Sequence, residues 1–318
     1  MFFDQLPDLE DRPILVIGAA GLDIVGRLLQ PAESGSSTPA SIRPSYGGTA
    51  RNFAENLARL GMPVTLLSVI GAGPIGRQML RYTESAGVDI KHVIRSKKTS
   101  TGAYIAVIDD HSRLQFALDD MEALFMLTPE FLEKKAELFQ QAGAVFMDAN
   151  LLPESIEAVM RLADECSLPV IADPTSSQLA NRLLNHLGKI AMMTPNIREA
   201  SILSDVEIQA KGETALALKA AQQLVARGVD LVIITLAEFG VVYATSETNG
   251  HIPAIRTRII DPTGAGDALS AGVIFALCND IPVDEAIRLG ISAASLTLRH
   301  TGAVRPDLSL ELLYDQLI

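Results

Sequence analysis

The sequence predicts an α/β protein with a mostly parallel central sheet and a small β element set beside it. Three observations carry this. Apolar runs rich in Val and Ile, three to seven residues long, recur along the chain, as strands buried on both faces do. Amphipathic helical patterns lie between them, and that alternation favours right-handed parallel crossovers. Two stretches, about 22–46 and 99–120, are extended or alternating without a long helical pattern.

Taken in order, strands are expected at 14–17, 64–70, 144–147, 170–172 and 231–235. A helix is expected over 52–60, with Phe53, Leu57 and Leu60 on its apolar face and Gly61 ending it. Residues 153–166 repeat the pattern with Ile156, Val159, Met160 and Ala163, and 214–227 with Leu216, Ala220, Leu224 and Val225. Residues 267–277 and 283–298 are helical patterns rich in Ala, Gly and Ser, which suits close packing. Within 99–120, residues 104–108, a polar turn at 109–112 and residues 114–118 form a hairpin. Residues 35–39 are a flexible loop. A β insertion in an α/β body acts as a lid. A length of 318 residues permits two domains or one large one. We read a single domain over 1–318, with lid segments inserted at about 22–46 and 99–120.

Hydrophobic residues make up 48% and charged residues 20%, a balance that excludes disorder. The net charge of −12 and the lack of any basic run beyond Lys97-Lys98 argue against a polymeric nucleic acid as partner. Two isolated cysteines, Cys166 and Cys278, support neither a disulfide framework nor a Cys-based zinc site. The start, MFFDQLPDLEDRP, is acidic where a signal peptide is basic. No apolar stretch reaches the roughly 20 residues that span a bilayer. A soluble, cytoplasmic protein that binds no membrane is expected. The five histidines lack metal spacing. The methionines, Met192-Met193 included, read as core.

Two motifs carry chemistry. In Asp261-Pro262-Thr263-Gly264-Ala265-Gly266-Asp267-Ala268, Gly264 and Gly266 let successive N–H groups converge on an anion at a helix N-terminus. Asp267 then stands beside that anion hole as a general base for phosphoryl transfer. In Gly47-Gly48-Thr49-Ala50-Arg51-Asn52, Gly48 lets a substrate touch backbone. Asn52 offers both a donor and an acceptor to sugar hydroxyls.

Together these motifs resemble the two signatures of the ribokinase-like (PfkB-type) carbohydrate and nucleoside kinases. The first runs from Gly47 to Gly71 and the second from Asp261 to Ile274. Asn196-Ile197-Arg198-Glu199 resembles the family's Asn-x-x-Glu motif, Gly18 to Asp23 its first strand and substrate-binding acid, and Thr235 and Gly240 its nucleotide loop. The resemblance covers the chain from about Ile14 to Asp307. It implies a three-layer α/β/α body with a β lid, and ATP-dependent phosphorylation of a hydroxymethyl group. By that implication Asp267 is the base, and the amides of Gly264, Ala265 and Gly266 form the anion hole. Asn196, Thr235, Gly240, Gly264 and Gly266 hold ATP. Glu199, with Asn196, organises Mg²⁺ through water. Asp23, Gly48, Arg51, Asn52 and Asn150 hold the acceptor. Asp261 and Thr263 fall near a monovalent-cation site, for K⁺. Lid strands pair between subunits in related kinases, so a homodimer through the lid is expected.

Arg51, together with Asp119-Asp120-Met121, Asp148-Ala149-Asn150 and Asp173-Pro174-Thr175-Ser176, is similar to the pseudouridine kinases. Pseudouridine is therefore the first acceptor. A sugar such as ribose or fructose, or another nucleoside, is the alternative. Arg51 reads equally as a solvent-facing helix charge, and Asp119 and Asp120 as turn acids. Three positions depart from the family. Thr49-Ala50 replaces a pair ending in Gly. Ala237 stands where Gly is usual and crowds the phosphates. Gly71-Ala72-Gly73-Pro74-Ile75-Gly76 lacks an acid after its first glycine. This last segment also matches a dinucleotide fingerprint, and Asp89 lies near the expected acid position. An NAD-dependent dehydrogenase is thus the rival enzyme, and a non-catalytic sensor of kinase fold the third reading.

Overall fold

The computed structural model describes residues 12–111 and 113–317. The chain begins with β1 (Ile14–Ile17), β2 (Gly21–Leu28), β3 (Ala40–Gly47), α1 (Thr49–Arg59), β4 (Val64–Leu67), β5 (Val69–Gly71) and α2 (Pro74–Ser85). It continues through β6 (Ile94–Ser96), β7 (Gly102–Ile108), β8 (Leu114–Asp120), α3 (Pro129–Glu133), α4 (Ala136–Gln141), β9 (Ala144–Asp148), α5 (Pro153–Glu165) and β10 (Val170–Asp173). Then come β11 (Met192–Met193), α6 (Ile197–Ser204), α7 (Thr214–Ala226), β12 (Leu231–Thr235), β13 (Val241–Ala244) and β14 (Asn249–Ile252). The last elements are α8 (Ala265–Cys278), α9 (Val283–Leu298) and α10 (Leu310–Asp315).

Eight strands form the main sheet in the order β14-β13-β12-β11-β10-β9-β1-β4. All neighbours from β12 to β4 are parallel, and β13 and β14 are antiparallel. Strand alternation divides β1 between two cores. Ile14 and Val16 pack in one cluster with Phe53, Leu57, Val273 and Ile287. Leu15 and Ile17 pack in the other with Val159 and Leu224. Helices therefore cover both faces, giving three α/β/α layers. Small residues let α8 and α9 touch: a Cβ on Gly272 would lie 3.0 Å from the Gly290 Cα.

The segments expected to form the lid build a separate sheet, β3-β2-β7-β8. The hairpin of β7 and β8 is antiparallel, with an irregularity after Val107. The turn residue Ser112 lies outside the described residues, as does the acidic start, 1–11. Register divides this sheet into two faces. One holds the rows Pro44, Ile24, Ile105, Leu118 and Ile42, Gly26, Val107, Phe116; the other holds Ser45, Asp23, Tyr104 and Asp119.

The structure differs from expectation in three places. The run 64–70 is two strands, not one. The Ser68 hydroxyl donates to the Gly18 carbonyl, and the Ser68 carbonyl accepts from the Ile94 N–H at 2.9 Å. The chain thus leaves the main sheet, and β5 pairs with β6 instead. Met192-Met193 is not only core filling: it is a short strand bridging β10 and β12. The antiparallel pair β13 and β14 adds an edge that no motif announced. Among the described residues, no helix is long and apolar enough to cross a membrane.

Candidate active site

The carboxyl ends of the parallel strands converge with the start of α8, where open α/β sheets bind ligands. Gly264 is the N-cap of α8, with φ of 77°. Its α-hydrogen faces the Ala303 carbonyl so closely that a Cβ would lie 1.9 Å from the oxygen. Only glycine fits both constraints. The N–H groups of Ala265, Gly266 and Asp267 follow in the first turn, where no intrahelical acceptor exists. A Cβ on Gly266 would meet nothing within 4 Å, so the helix start is open beside this residue. Ser270 anchors the helix, bonding the Gly266 carbonyl and, at 2.7 Å, the Thr194 hydroxyl.

Asp267 projects from that first turn. Its Oδ2 accepts from the Asn52 Nδ2 at 2.7 Å, joining the two motifs across 215 residues of chain. Burial pushes its pKa up to about 7, aided by Asp23 and Asp148 and opposed by the Asn52 bond and Arg51. Asp23, on β2, is 7% exposed. Burial raises it to about 6, Arg51 opposing and Asp261 adding to the rise. Gly47 is glycine because a Cβ there would lie 2.0 Å from the Asp23 Oδ2.

Two residues after Thr194, Asn196 caps α6 by accepting from the Arg198 and Glu199 N–H groups. Glu199 returns the bond by accepting from the Asn196 N–H at 2.8 Å, a complete capping box. Burial raises the Glu199 pKa, and these bonds oppose the rise. Asn196 is bridged to Thr235, which brings the expected nucleotide residues together. Gly240, φ 92°, closes the loop that follows β12. Asp261 accepts from the N–H groups of Thr263 and Gly302 through its two oxygens.

Ala237, where glycine is usual in the family, has φ of 52°. A left-handed alanine is strained by roughly 1 kcal/mol. Ala237→Gly is therefore expected to raise stability by roughly 0.5 kcal/mol, the gain being partly offset by unfolded-chain entropy. It is also expected to tighten ATP binding. Thermal melting and calorimetric titration check both; a lower melting temperature would contradict the strain argument.

Arg51 does not face solvent. It is 1% exposed, and its guanidinium bonds Gly47, Tyr46, Asn52 and Glu55. Burial behind Tyr46 and its neighbours defeats the surface reading that the spacing of Arg51, Glu55 and Arg59 invites. Gly48, φ 93°, presses its α-carbon on the Ala19–Ala20 backbone. Asn150 donates through Nδ2 to the Asp148 Oδ1 at 2.9 Å and borders a cleft of about 370 Å³ with Asp119, Asp120, Phe125 and Arg182.

Two acids went unassigned in the sequence. Asp148, fully buried, accepts from the Ala19 and Ala50 N–H groups and from Asn150. It thereby ties the loop after β1 to the start of α1, and Gly18 makes room for its carboxylate. Asp173 ends β10. Burial, then Asp267 and Glu199, raise its pKa far above the usual carboxylate range. It accepts from the N–H of Thr175 at 2.7 Å, a β-branched residue held at φ 64°. Such strain clusters at functional sites. The available signal was an Asp directly after each of two neighbouring apolar runs, 144–147 and 170–172.

This geometry has clear relatives. The model of the pfkB family carbohydrate kinases matches residues 11–309, and the chain belongs to that family. It is 28% identical to the pseudouridine kinase of Escherichia coli (strain K12) over 93% of this chain and 94% of that one. It is 28% identical to the guanosine-inosine kinase of Exiguobacterium acetylicum, over 91% and 95%. The structure of Arabidopsis thaliana ribokinase complexed with ribose and ATP superposes with a TM-score of 0.83 at 21% identity, covering 96% and 98% of the two chains. The protein is a carbohydrate or nucleoside kinase of ribokinase-like fold, a phosphotransferase with a hydroxyl acceptor. The dehydrogenase reading falls. The family match overturns it, and β5, the strand that leads into Gly71-Ala72-Gly73-Pro74-Ile75-Gly76, lies outside the main sheet and pairs with β6 instead.

Proposed function

We propose that the protein transfers the γ-phosphoryl group of ATP to the 5′-hydroxymethyl of a nucleoside, with pseudouridine as its acceptor. The observation that carries this is Asp267, held by Asn52 beside the free amides that open α8. The likeness to a pseudouridine kinase favours that acceptor; Arg51, expected to hold the acceptor, instead spends its guanidinium on Gly47, Tyr46, Asn52 and Glu55. Ribose is the second reading, favoured by 27% identity to a ribokinase of Haemophilus influenzae.

In this reading the acceptor oxygen bonds the γ-phosphorus as the bond to ADP breaks, and the hydroxyl proton passes to the Asp267 carboxylate. The amides of Gly264, Ala265 and Gly266 receive the phosphoryl charge. Asp23, Gly48, Asn52 and Asn150 surround the acceptor, with Arg51 behind them. Asn196, Thr235 and Gly240 line the nucleotide. The donor set fits Mg²⁺: Glu199 and Asp173 are hard carboxylates raised by burial, Asp173 further by the charges of Asp267 and Glu199, and a small divalent ion prefers such oxygens, often through water. When bound, the ion neutralises phosphate charge. Asp261 and Thr263 would offer oxygens to K⁺.

Because the base works deprotonated, kcat/KM should rise with pH through about 7. A profile flat between about pH 6 and about pH 8 would contradict Asp267 as base. The acceptor is tested by comparing turnover on pseudouridine, uridine, adenosine and ribose; a preference for ribose would shift the assignment to a sugar.

We also propose that the lid sheet covers the acceptor through its Asp23–Tyr104–Asp119 face and dimerises through the other. On that outer face Ile42, Phe116 and Leu118 are 67%, 52% and 59% exposed, and contiguous apolar surface of this kind marks an interface. A second copy supplies an identical apolar face. Light scattering should report a dimer at micromolar concentration and a monomer for Phe116→Lys; a monomeric wild type would refute it.

A further inference from the structure

We infer that Arg51 is a positioning residue that fixes the orientation of the Asn52 amide and, through it, the carboxylate of Asp267. The inference rests on the proposed role of Asp267 as base.

The argument begins with the guanidinium fork. Its Nε donates to the Gly47 carbonyl at 2.9 Å. Its Nη2 donates to the Tyr46 carbonyl at 2.9 Å and to the Asn52 Oδ1. Its Nη1 donates to Glu55. Glu55 is itself fully buried and shared with Arg59. The fork is thus committed to protein, not to a ligand. An asparagine amide has two orientations, and a guanidinium tolerates only an oxygen before it. With Oδ1 turned to Arg51, Nδ2 is the group left to face Asp267, and it donates at 2.7 Å. The reverse orientation would set N–H against N–H at one end and oxygen against carboxylate at the other. A lysine carries charge but not the planar fork, so it cannot bond Tyr46, Gly47, Asn52 and Glu55 together.

The groups facing Asp267 are Asp23 from β2, Asp148 from β9, Asp173 from β10 and Arg51 from α1. All except Arg51 are acids. Donation by Asn52 and the Arg51 charge both favour the carboxylate, so loosening the fork raises its proton affinity.

Two readouts test this: the ¹³C NMR titration of the Asp267 carboxyl, assigned by its loss in Asp267→Asn, and the pH profile of kcat/KM. In Arg51→Lys both midpoints should move upward by about one pH unit. At neutral pH kcat should fall up to about tenfold, with acceptor KM changed less than about twofold. In an Asn52→Leu background, adding Arg51→Lys should move the midpoint no further. Should Arg51→Lys fail to fold, Arg51→Met/Glu55→Gln, which removes both buried charges, carries the same expectation. An unmoved Asp267 midpoint would overturn the inference, as would a raised acceptor KM with kcat and midpoint unchanged, the mark of direct acceptor contact. The NMR titration needs no turnover. A wild type inert toward every acceptor would therefore sink the functional proposal and leave this test standing.

Discussion

Asp267→Asn is expected to lower kcat by about 10²–10⁴-fold, the usual contribution of a positioned general base. ATP binding should persist. Asparagine is isosteric, and its carbonyl can still accept from the Asn52 Nδ2 now bonded to the carboxylate. Removing an acid from the first turn of α8 also leaves the helix N-terminus more positive, which favours an anion. Loss of turnover with retained nucleotide affinity therefore separates a base from a structural cap. Near-wild-type turnover would remove Asp267 from the chemistry.

Gly264→Ala should have a comparable effect for a different reason. The added Cβ would sit 1.9 Å from the Ala303 carbonyl oxygen, at a φ of 77°. Overlap with backbone cannot be relieved by a rotamer change. The start of α8 must shift, and the donors of Ala265 and Gly266 shift with it. We expect a stability loss of roughly 2–4 kcal/mol from strain and overpacking together. A fall of about 10²-fold or more in kcat should accompany it, as for a lost oxyanion-hole donor. Gly266→Ala is the control. Its Cβ meets open space, so the fold should keep its stability, and any lost rate reports crowding of the bound phosphates. A Gly264→Ala protein that melts and turns over like the wild type would contradict the geometry.

Much of the scaffold was legible because one period dominates it. The runs at 14–17 and 231–235 became β1 and β12 unchanged, since apolar strands between amphipathic helices have few alternatives. The start of α8 was legible because Gly264 caps it with a left-handed φ and a backbone contact that only glycine allows. What escaped depends on the third dimension. The break at Ser68 comes from a hydroxyl bond to Gly18, fifty residues away in sequence. The strand at Met192-Met193 exists because β10 and β12 flank it, not because methionine favours strands. Arg51, Glu55 and Arg59 stand at helical spacing and look like a solvated stripe. Tyr46, Tyr82 and Pro306 cover them, and nothing local announces that cover. Asp148 and Asp173 gain meaning only when the sheet aligns their strands in register.

The most direct test is ADP release from Mg-ATP by the wild type and Asp267→Asn, with pseudouridine, uridine, adenosine, ribose and fructose 6-phosphate offered in turn. Acceptor-dependent release that is highest with pseudouridine and collapses in Asp267→Asn is the predicted result. Release that is the same with and without every acceptor, or that survives in Asp267→Asn, would contradict it.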